Sequence, residues 1–259
     1  AEHGARVVKV EAPDGDVTRR WHLAAEDLAD DRPAYFCAVN WGKQSVTLDL
    51  TTEAGRDALH WLVATADLVV SSFRPGASAR LGADADTLRA VNPRLVVVEV
   101  DGYGADDLRT GYDAVIQAEA GFMALNGAAD GPPTKMPVAL VDVLAAHQLK
   151  EAALVALLAR ERTGKGATVR VSLLGAAVSS LANQAANWLT AGVAPQRMGS
   201  AHPNIAPYGT PYPTATGAIV LAVGTDRQFA ALVEAVGRED LATDARFVTN
   251  AGRVRHRAA

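Results

Sequence analysis

The 259-residue chain is 49% hydrophobic, 5% aromatic and 21% charged, with a net charge of −4, which suits a soluble globular protein of one or two domains with a full-sized core. No block of Lys or Arg stands out, so no nucleic-acid partner is expected, and no apolar run approaches the ~20 residues of a spanning helix, so no membrane partner is expected. A single cysteine, Cys37, cannot form an internal disulfide, and no Cys/His cluster has metal-ligand spacing; both point to a reducing, cytoplasmic setting with no metal site, and Cys37 reads as a small core residue.

The chain opens on "AEHGARVVKVEAPDGD", with no initiator Met and no signal-peptide pattern, and "ARVVKVE" (5–11) already reads as a strand. Two further β-rich runs, "ADLVVSSF" (66–73) and "RLVVVEV" (94–100), alternate with helical periods at Thr52–Thr65 and Ala77–Val91. This alternation predicts an α/β fold with a parallel sheet, and the unbroken Val and Leu runs predict strands covered on both faces. Thr52 marks a helix start, while Pro93 disfavours helix at Asn92 and closes the element before the third strand. Asp113 is positioned to cap the helical run "AVIQAEAGFMAL". From Ala145 to Arg162 the residues Leu149, Ala153, Leu154, Leu157 and Leu158 repeat at helical spacing, and "TGKG" ends the element. A strand "TVRVSLL" and a helix near Gly175 to Leu189 follow. A Pro- and Gly-rich stretch then precedes a strand at 218–224 and a helix from Asp226, which predicts a domain boundary in that stretch. The polar helical pattern of "FVTNAGRVRHRAA" stops without a closing element, and both ends of the chain read as cut.

The loop "DGYGADD" (101–107) follows a predicted strand, the position where open α/β sheets bind ligands. No GxGxxG fingerprint, P-loop or G-x-S-x-G elbow occurs, which disfavours dinucleotide, P-loop and serine-hydrolase chemistry. Asp142, in "PVALVDVLAAHQ", stands between an apolar run and a long helical pattern, and two readings of it are open. It is either a helix cap stabilised by the dipole, or a nucleophile kept ionised by the N–H groups of the helix start. Tyr112 reads as a core ring or a catalytic group, and His202 in "GSAHPNIAPY" as a bonded loop residue or a substrate contact.

The segments "GARVVKVEAPDGD", "NWGKQSVTLDLTTEAGR", "FRPGASARLG", "NPRLVVVEVDGYG", "GYDAVIQAEAGFMALNG", "GPPTKMPVALVDVLAA", "ARERTGKGATVRVSLLGAA" and "AHPNIAPYGTPYPTATGAIVLAVG" occur in this order. In that order they resemble the family III (CaiB/BaiF) CoA-transferases, which include formyl-CoA, carnitine and dicarboxylate CoA-transferases and the related α-methylacyl-CoA racemases. The resemblance implies a Rossmann-like large domain with a parallel sheet plus a smaller α/β domain, in an interlocked homodimer. Residues 1–192 would form the large CoA-binding domain lacking its first strand, and 193–259 the linker and the start of the small domain. The family's C-terminal segment that returns to the large domain would also be missing.

The resemblance also implies an activity: CoA moves from an acyl-CoA donor to a carboxylic acid acceptor through a mixed anhydride and an aspartyl-CoA thioester on Asp142. Coenzyme A is then a co-substrate, and no permanently bound cofactor is needed. Racemases of the superfamily carry His at the place of Tyr112, so Tyr favours the transferase over the racemase or epimerase, because a phenol with an ordinary pKa near ~10 is a poor proton shuttle. A catalytically silent CoA-binding subunit is the other alternative. Lys43, Arg74, Gly102, Tyr103 and Gly104 fall in segments that line the CoA site of relatives, and Lys135 is a further candidate. The chain departs from the pattern at Trp41 and Gln44, where many members carry Arg; Trp41 could stack on adenine. Gly199 and His202 belong to the loop facing the nucleophile, where some transferases have a run of glycines. Asp226 falls where racemases place an acidic residue, and it also suits a helix cap.

Overall fold

The structure is a computed structural model that describes every residue except Glu2, Asp30, Pro75, Asp106 and Ala259. In chain order its elements begin with β1 (Val8–Glu11), α1 (Ala34–Asn40), β2 (Gln44–Thr47), α2 (Glu53–Val63), β3 (Leu68–Ser71), α3 (Ala77–Arg80), α4 (Ala85–Val91) and β4 (Val96–Asp101). There follow α5 (Asp113–Glu119), α6 (Phe122–Leu125), α7 (Leu140–Thr163), β5 (Thr168–Ser172), α8 (Leu173–Ser180) and α9 (Asn183–Ala191). The chain continues with β6 (Tyr208–Thr214), β7 (Gly217–Ala222), α10 (Asp226–Ala235), α11 (Asp240–Thr243) and α12 (Asn250–Arg255). By internal contacts it divides into two compact units, residues 1–110 with 147–171, and residues 111–146 with 172–259.

In the first unit β3, β4 and β5 form one sheet, in which β3 and β4 run parallel from the pair Leu68 and Val96 to the pair Ser71 and Glu99. Leu95 and Val97 pack with Leu59 and Val63 of α2 and Leu88 of α4. Val96 and Val98 point the other way, onto Ala153 and Ala156 of α7. The period of two along the strand thus feeds two separate cores, as its unbroken Val run predicts. Each fully buried side chain of this size contributes about 1.5–3 kcal/mol relative to exposure. β1 and β2 form a second, two-stranded parallel sheet, so the parallel strands described are split between two sheets.

Local chemistry sets where the elements begin and end. Thr52, Asp84, Ser172, Thr225 and Thr249 each accept a backbone N–H from the first turn of the helix that follows. Because Ser172 caps α8, Leu173 and Leu174 belong to the helix and not to the strand expected there. Three runs expected as single helices are divided. Residues 77–91 break where Gly82 takes φ +63° and Asp84 starts a new cap. Residues 114–125 break at Gly121 with φ +87°, and the 175–189 run breaks at Ala182, a non-glycine at φ 47°. Cys37, expected in the core, is exposed on α1, with its thiol on the Arg32 carbonyl at 3.3 Å.

In the second unit β6 and β7 pair antiparallel. β6 carries Pro211 and Pro213, and the Pro-rich stretch expected as linker supplies this strand because a two-stranded sheet needs backbone bonds on one side only. A small core of Val223, Phe229 and Val233 joins Leu241 and Phe247. Among the described residues no helix is long and apolar enough to cross a membrane.

Candidate functional site

Asp142 lies in the first turn of α7, two residues after the first helical residue, so it is not itself the cap. That task falls to Asp113, whose Oδ1 accepts the Val141 N–H at 2.8 Å. Asp113 was expected to cap its own helix; it is the first residue of α5, whose N-cap is Tyr112. Its other oxygen, Oδ2, accepts from Gln117 Nε2 at 2.7 Å. Gln117 also donates to the Val138 carbonyl at 3.3 Å and accepts the Met136 N–H at 2.9 Å. The approach to Asp142, residues 136–141, is therefore tied to α5 at three points.

Asp142 is exposed, yet its carboxyl is pushed above its ordinary value of 3.8, first by partial loss of solvation against the helix start and then by the nearby Asp113 carboxylate. The N–H groups of the helix start do not dominate its ionisation, contrary to the simplest cap picture. Loss of solvation in one ionic form is the usual route to a reactive carboxylate at a functional site.

Tyr112 stands one residue before Asp113, with its side chain 69% exposed; it is no core ring, and its phenol is open to solvent. Lys135 is exposed in the same unit, its ammonium on the Met136 carbonyl at 2.5 Å. The loop bearing Gly199 and His202 is bound within the same unit by residues of α9, of α12 and of the segment after it. Asn183 and Asn187 donate to the Asn204 side chain at 3.1 and 3.0 Å. Asn250 donates to the Asn204 carbonyl at 2.9 Å, and Arg257 to the His202 carbonyl at 2.6 Å. Gly199 takes φ +60°, which favours glycine. The His202 Nδ1 accepts the Asn204 N–H at 3.1 Å, and its ring stands edge-on to Tyr208, which leaves Nε2 as the ring's remaining polar atom.

Asp226 is held by the Arg253 guanidinium at 2.8 Å. Arg253 is buried, stacks over Phe229, and also bonds the Ala206 and Phe247 carbonyls. The capping of α10 belongs to Thr225 and Gln228, so Asp226 serves as partner of a buried cation.

The CoA candidates other than Lys135 lie in the first unit. Ser71 pairs with Glu99 across β3 and β4, so Arg74 and Gly102, each three residues further on, leave the same carboxyl edge of the sheet. This is where α/β sheets take ligands. Gly104 has φ +115° and its N–H bonds the Asp101 side chain, while the Tyr103 ring is covered by Arg109 at 3.7 Å. Arg74 and Lys43 are exposed, and crowding, followed by the Lys9 charge, lowers the Lys43 ammonium from its ordinary value. Gln44 accepts from Arg6 at 3.0 Å, so a cation stands beside this position. Trp41 is 75% exposed. Among the described residues no group of three or more His, Cys, Asp or Glu is placed to hold a metal ion.

The profile of CoA-transferase family III matches residues 1–259. The chain belongs to this family. It is 39% identical to the succinate–glutarate CoA-transferase of Agrobacterium fabrum, with 99% of the chain aligned over 66% of that protein. It is 36% identical to the acetyl-CoA:oxalate CoA-transferase of Acetobacter aceti, with 97% of the chain aligned over 64% of that protein. The chain thus spans about two thirds or less of the length of these relatives. Among solved structures, a CaiB/BaiF family protein from Brucella suis superposes with a TM-score of 0.79 at 41% identity, covering 98% of this chain and 68% of that one. The Rv3272 protein of Mycobacterium tuberculosis superposes with a TM-score of 0.83 at 36% identity, over 98% and 68% of the two chains.

The resemblance pointed to Asp142 and Tyr112, and the structure puts both in one unit with Lys135 and the 199–205 loop. The linkage of Gln117 and Asp113 to the backbone before Asp142 was not foreseen. Its available signal was a Gln four residues after an Asp with only apolar residues between them, the spacing at which two side chains meet.

Proposed function

We propose that the protein to which this chain belongs is a cytoplasmic, homodimeric CoA-transferase, with Asp142 as its covalent nucleophile. The observation that carries the reading is the Asp142 carboxylate itself, exposed in the first turn of α7 where a substrate can reach it, with its pKa raised by partial loss of solvation and by Asp113 beside it. A carboxylate whose ionised form is under-solvated is a stronger nucleophile than one in water.

In the proposed cycle the Asp142 carboxylate attacks the donor thioester carbonyl; its new C–O bond replaces the C–S bond and CoA leaves as thiolate. The thiolate attacks the aspartyl carbonyl of the mixed anhydride, which releases the donor acid and leaves an aspartyl-CoA thioester. The acceptor carboxylate then attacks that thioester and expels the thiolate. Thiolate attack on the acceptor's acyl carbon forms the new acyl-CoA and returns the Asp142 carboxylate. No proton is consumed, which agrees with Tyr rather than His at position 112. Arg74, Lys43 and the Gly102–Gly104 backbone are the proposed contacts for the CoA phosphates, with Lys135 a further cation. The 199–205 loop, with Gly199 and His202, is the proposed source of donors to the oxyanions.

The test is mass spectrometry of the full-length protein incubated with a panel of acyl-CoAs, succinyl-, glutaryl- and oxalyl-CoA first, and trapped with hydroxylamine. A hydroxamate on the peptide holding Asp142, absent in Asp142→Ala, is expected. A folded protein that forms no adduct with any donor yet binds CoA would overturn the reading and leave the silent CoA-binding subunit.

A further inference from the structure

Gln117 is completely buried, at 0% exposure, and its amide makes three bonds. Two go directly to the backbone at Met136 and Val138, and the third goes to the Asp113 oxygen opposite the one that holds the Val141 N–H. All three tether the six residues that lead into Asp142. None goes to a distant part of the unit. Leu or Met at this site would bury as much surface without desolvating an amide, a cost of about 1–3 kcal/mol when a bond is missing. A fully satisfied buried polar group selects one arrangement of the chain where apolar packing tolerates several.

We propose that Gln117, acting through Asp113, is a positioning residue that fixes the start of α7 so that the Asp142 carboxylate meets the thioester carbonyl in line. The proposal rests on the reading of Asp142 as the nucleophile. Gln117 touches neither CoA nor the acyl group; its effect is on the rate of the covalent step and not on binding. A displacement of 1 Å at a reacting atom costs ~10²-fold in rate.

The geometry suggests a charge-neutral exchange. In D113N the amide oxygen still accepts the Val141 N–H, but the amide nitrogen now faces the Gln117 nitrogen, donor against donor. In Q117E a carboxylate faces the Asp113 oxygen, acceptor against acceptor. In the pair D113N/Q117E the amide nitrogen at 113 donates to the carboxylate at 117, which still accepts the Met136 N–H; only the long bond to Val138 is lost.

The experiment is quenched-flow mass spectrometry of Asp142 acylation in the full-length protein, with steady-state kcat and KM alongside and circular dichroism to establish folding. Gln117→Met and each polar single variant are expected to slow acylation and kcat by ~10²-fold, with KM within about threefold of wild type. D113N/Q117E is expected to recover most of the rate; should Gln117→Met fail to fold, this pair still decides the matter. If wild type forms no adduct on Asp142, the nucleophile reading falls and this proposal with it. If wild type acylates normally while folded single variants match its rate, or change KM alone, or the pair is no faster than the slower single, only the positioning role is overturned.

Discussion

Asp142 sits where two influences of the same sign act on one exposed carboxylate, partial loss of solvation and the negative charge of Asp113. Both favour the protonated form, so Asp142 acting as the proposed nucleophile would be silenced by acid earlier than an ordinary aspartate. The acid limb of kcat/KM is therefore expected above the ordinary value of 3.8, with activity rising as pH increases through it. D113N removes the charge and should move that limb to lower pH whatever it does to the plateau; a limb that stays put would show that Asp113 does not govern the ionisation. How far this site could be read in advance differs from residue to residue. Asp142 stood out as a carboxylate at a helix start, but its ionisation depends on Asp113, 29 positions earlier in the chain (142 − 113 = 29), and no local pattern encodes that neighbour. Tyr112 was expected as a buried ring or a catalytic group; its exposure removes the first reading.

At the scale of elements, the β1–β2 pair is held by a charge cluster. Glu11, 5% exposed, receives Arg19 in two parallel bonds of 2.8 and 3.0 Å and the Ser45 hydroxyl at 2.7 Å. The Arg19 guanidinium stacks on Phe36, the buried residue of α1, at 4.0 Å. Arg19 is the main reason that the Glu11 carboxyl falls from 4.5 to about 2. A depressed carboxylate stabilises the fold above its unfolded pKa and loses that contribution as pH falls through the folded one. The window is thus from about 4.5 down to about 2, and the contribution at neutral pH is roughly 3 kcal/mol. Glu11→Gln is expected to lower the urea-unfolding free energy by about that amount at pH 7 and by much less near pH 2; a pH-independent loss would assign the effect to packing alone. The start of α2 was legible because the Thr52 cap acts within one turn, whereas Asp113, Asp142 and Asp226, each open to a cap reading, lie inside their helices. The break at Ala182 was not legible, since a non-glycine at positive φ is imposed by packing around it.

At the scale of the molecule, the period of α7 marked Leu149, Ala153, Leu154, Leu157 and Leu158 as one apolar face. Only part of it is used: Ala153 and Ala156 are buried and Leu149 and Leu157 pack on their cluster, while Leu154, Val155 and Leu158 remain 59%, 68% and 59% exposed. Under the homodimer proposal this open apolar stretch is where a second copy would pack. The full-length protein is expected to run as a dimer in light scattering at micromolar concentration, and Leu154→Glu with Leu158→Glu to weaken it; a monomeric wild type would overturn the homodimer reading. The sequence by itself determined the family, the parallel α/β character and the candidate nucleophile, because caps, periods and segment order are local and additive properties of a chain. Only the tertiary structure decided that Asp113 and not Asp142 caps α7, that Gln117 anchors the approach to it, and that Asp226 partners a buried arginine. Each of these joins residues distant in sequence, and burial is what gives such contacts their energy.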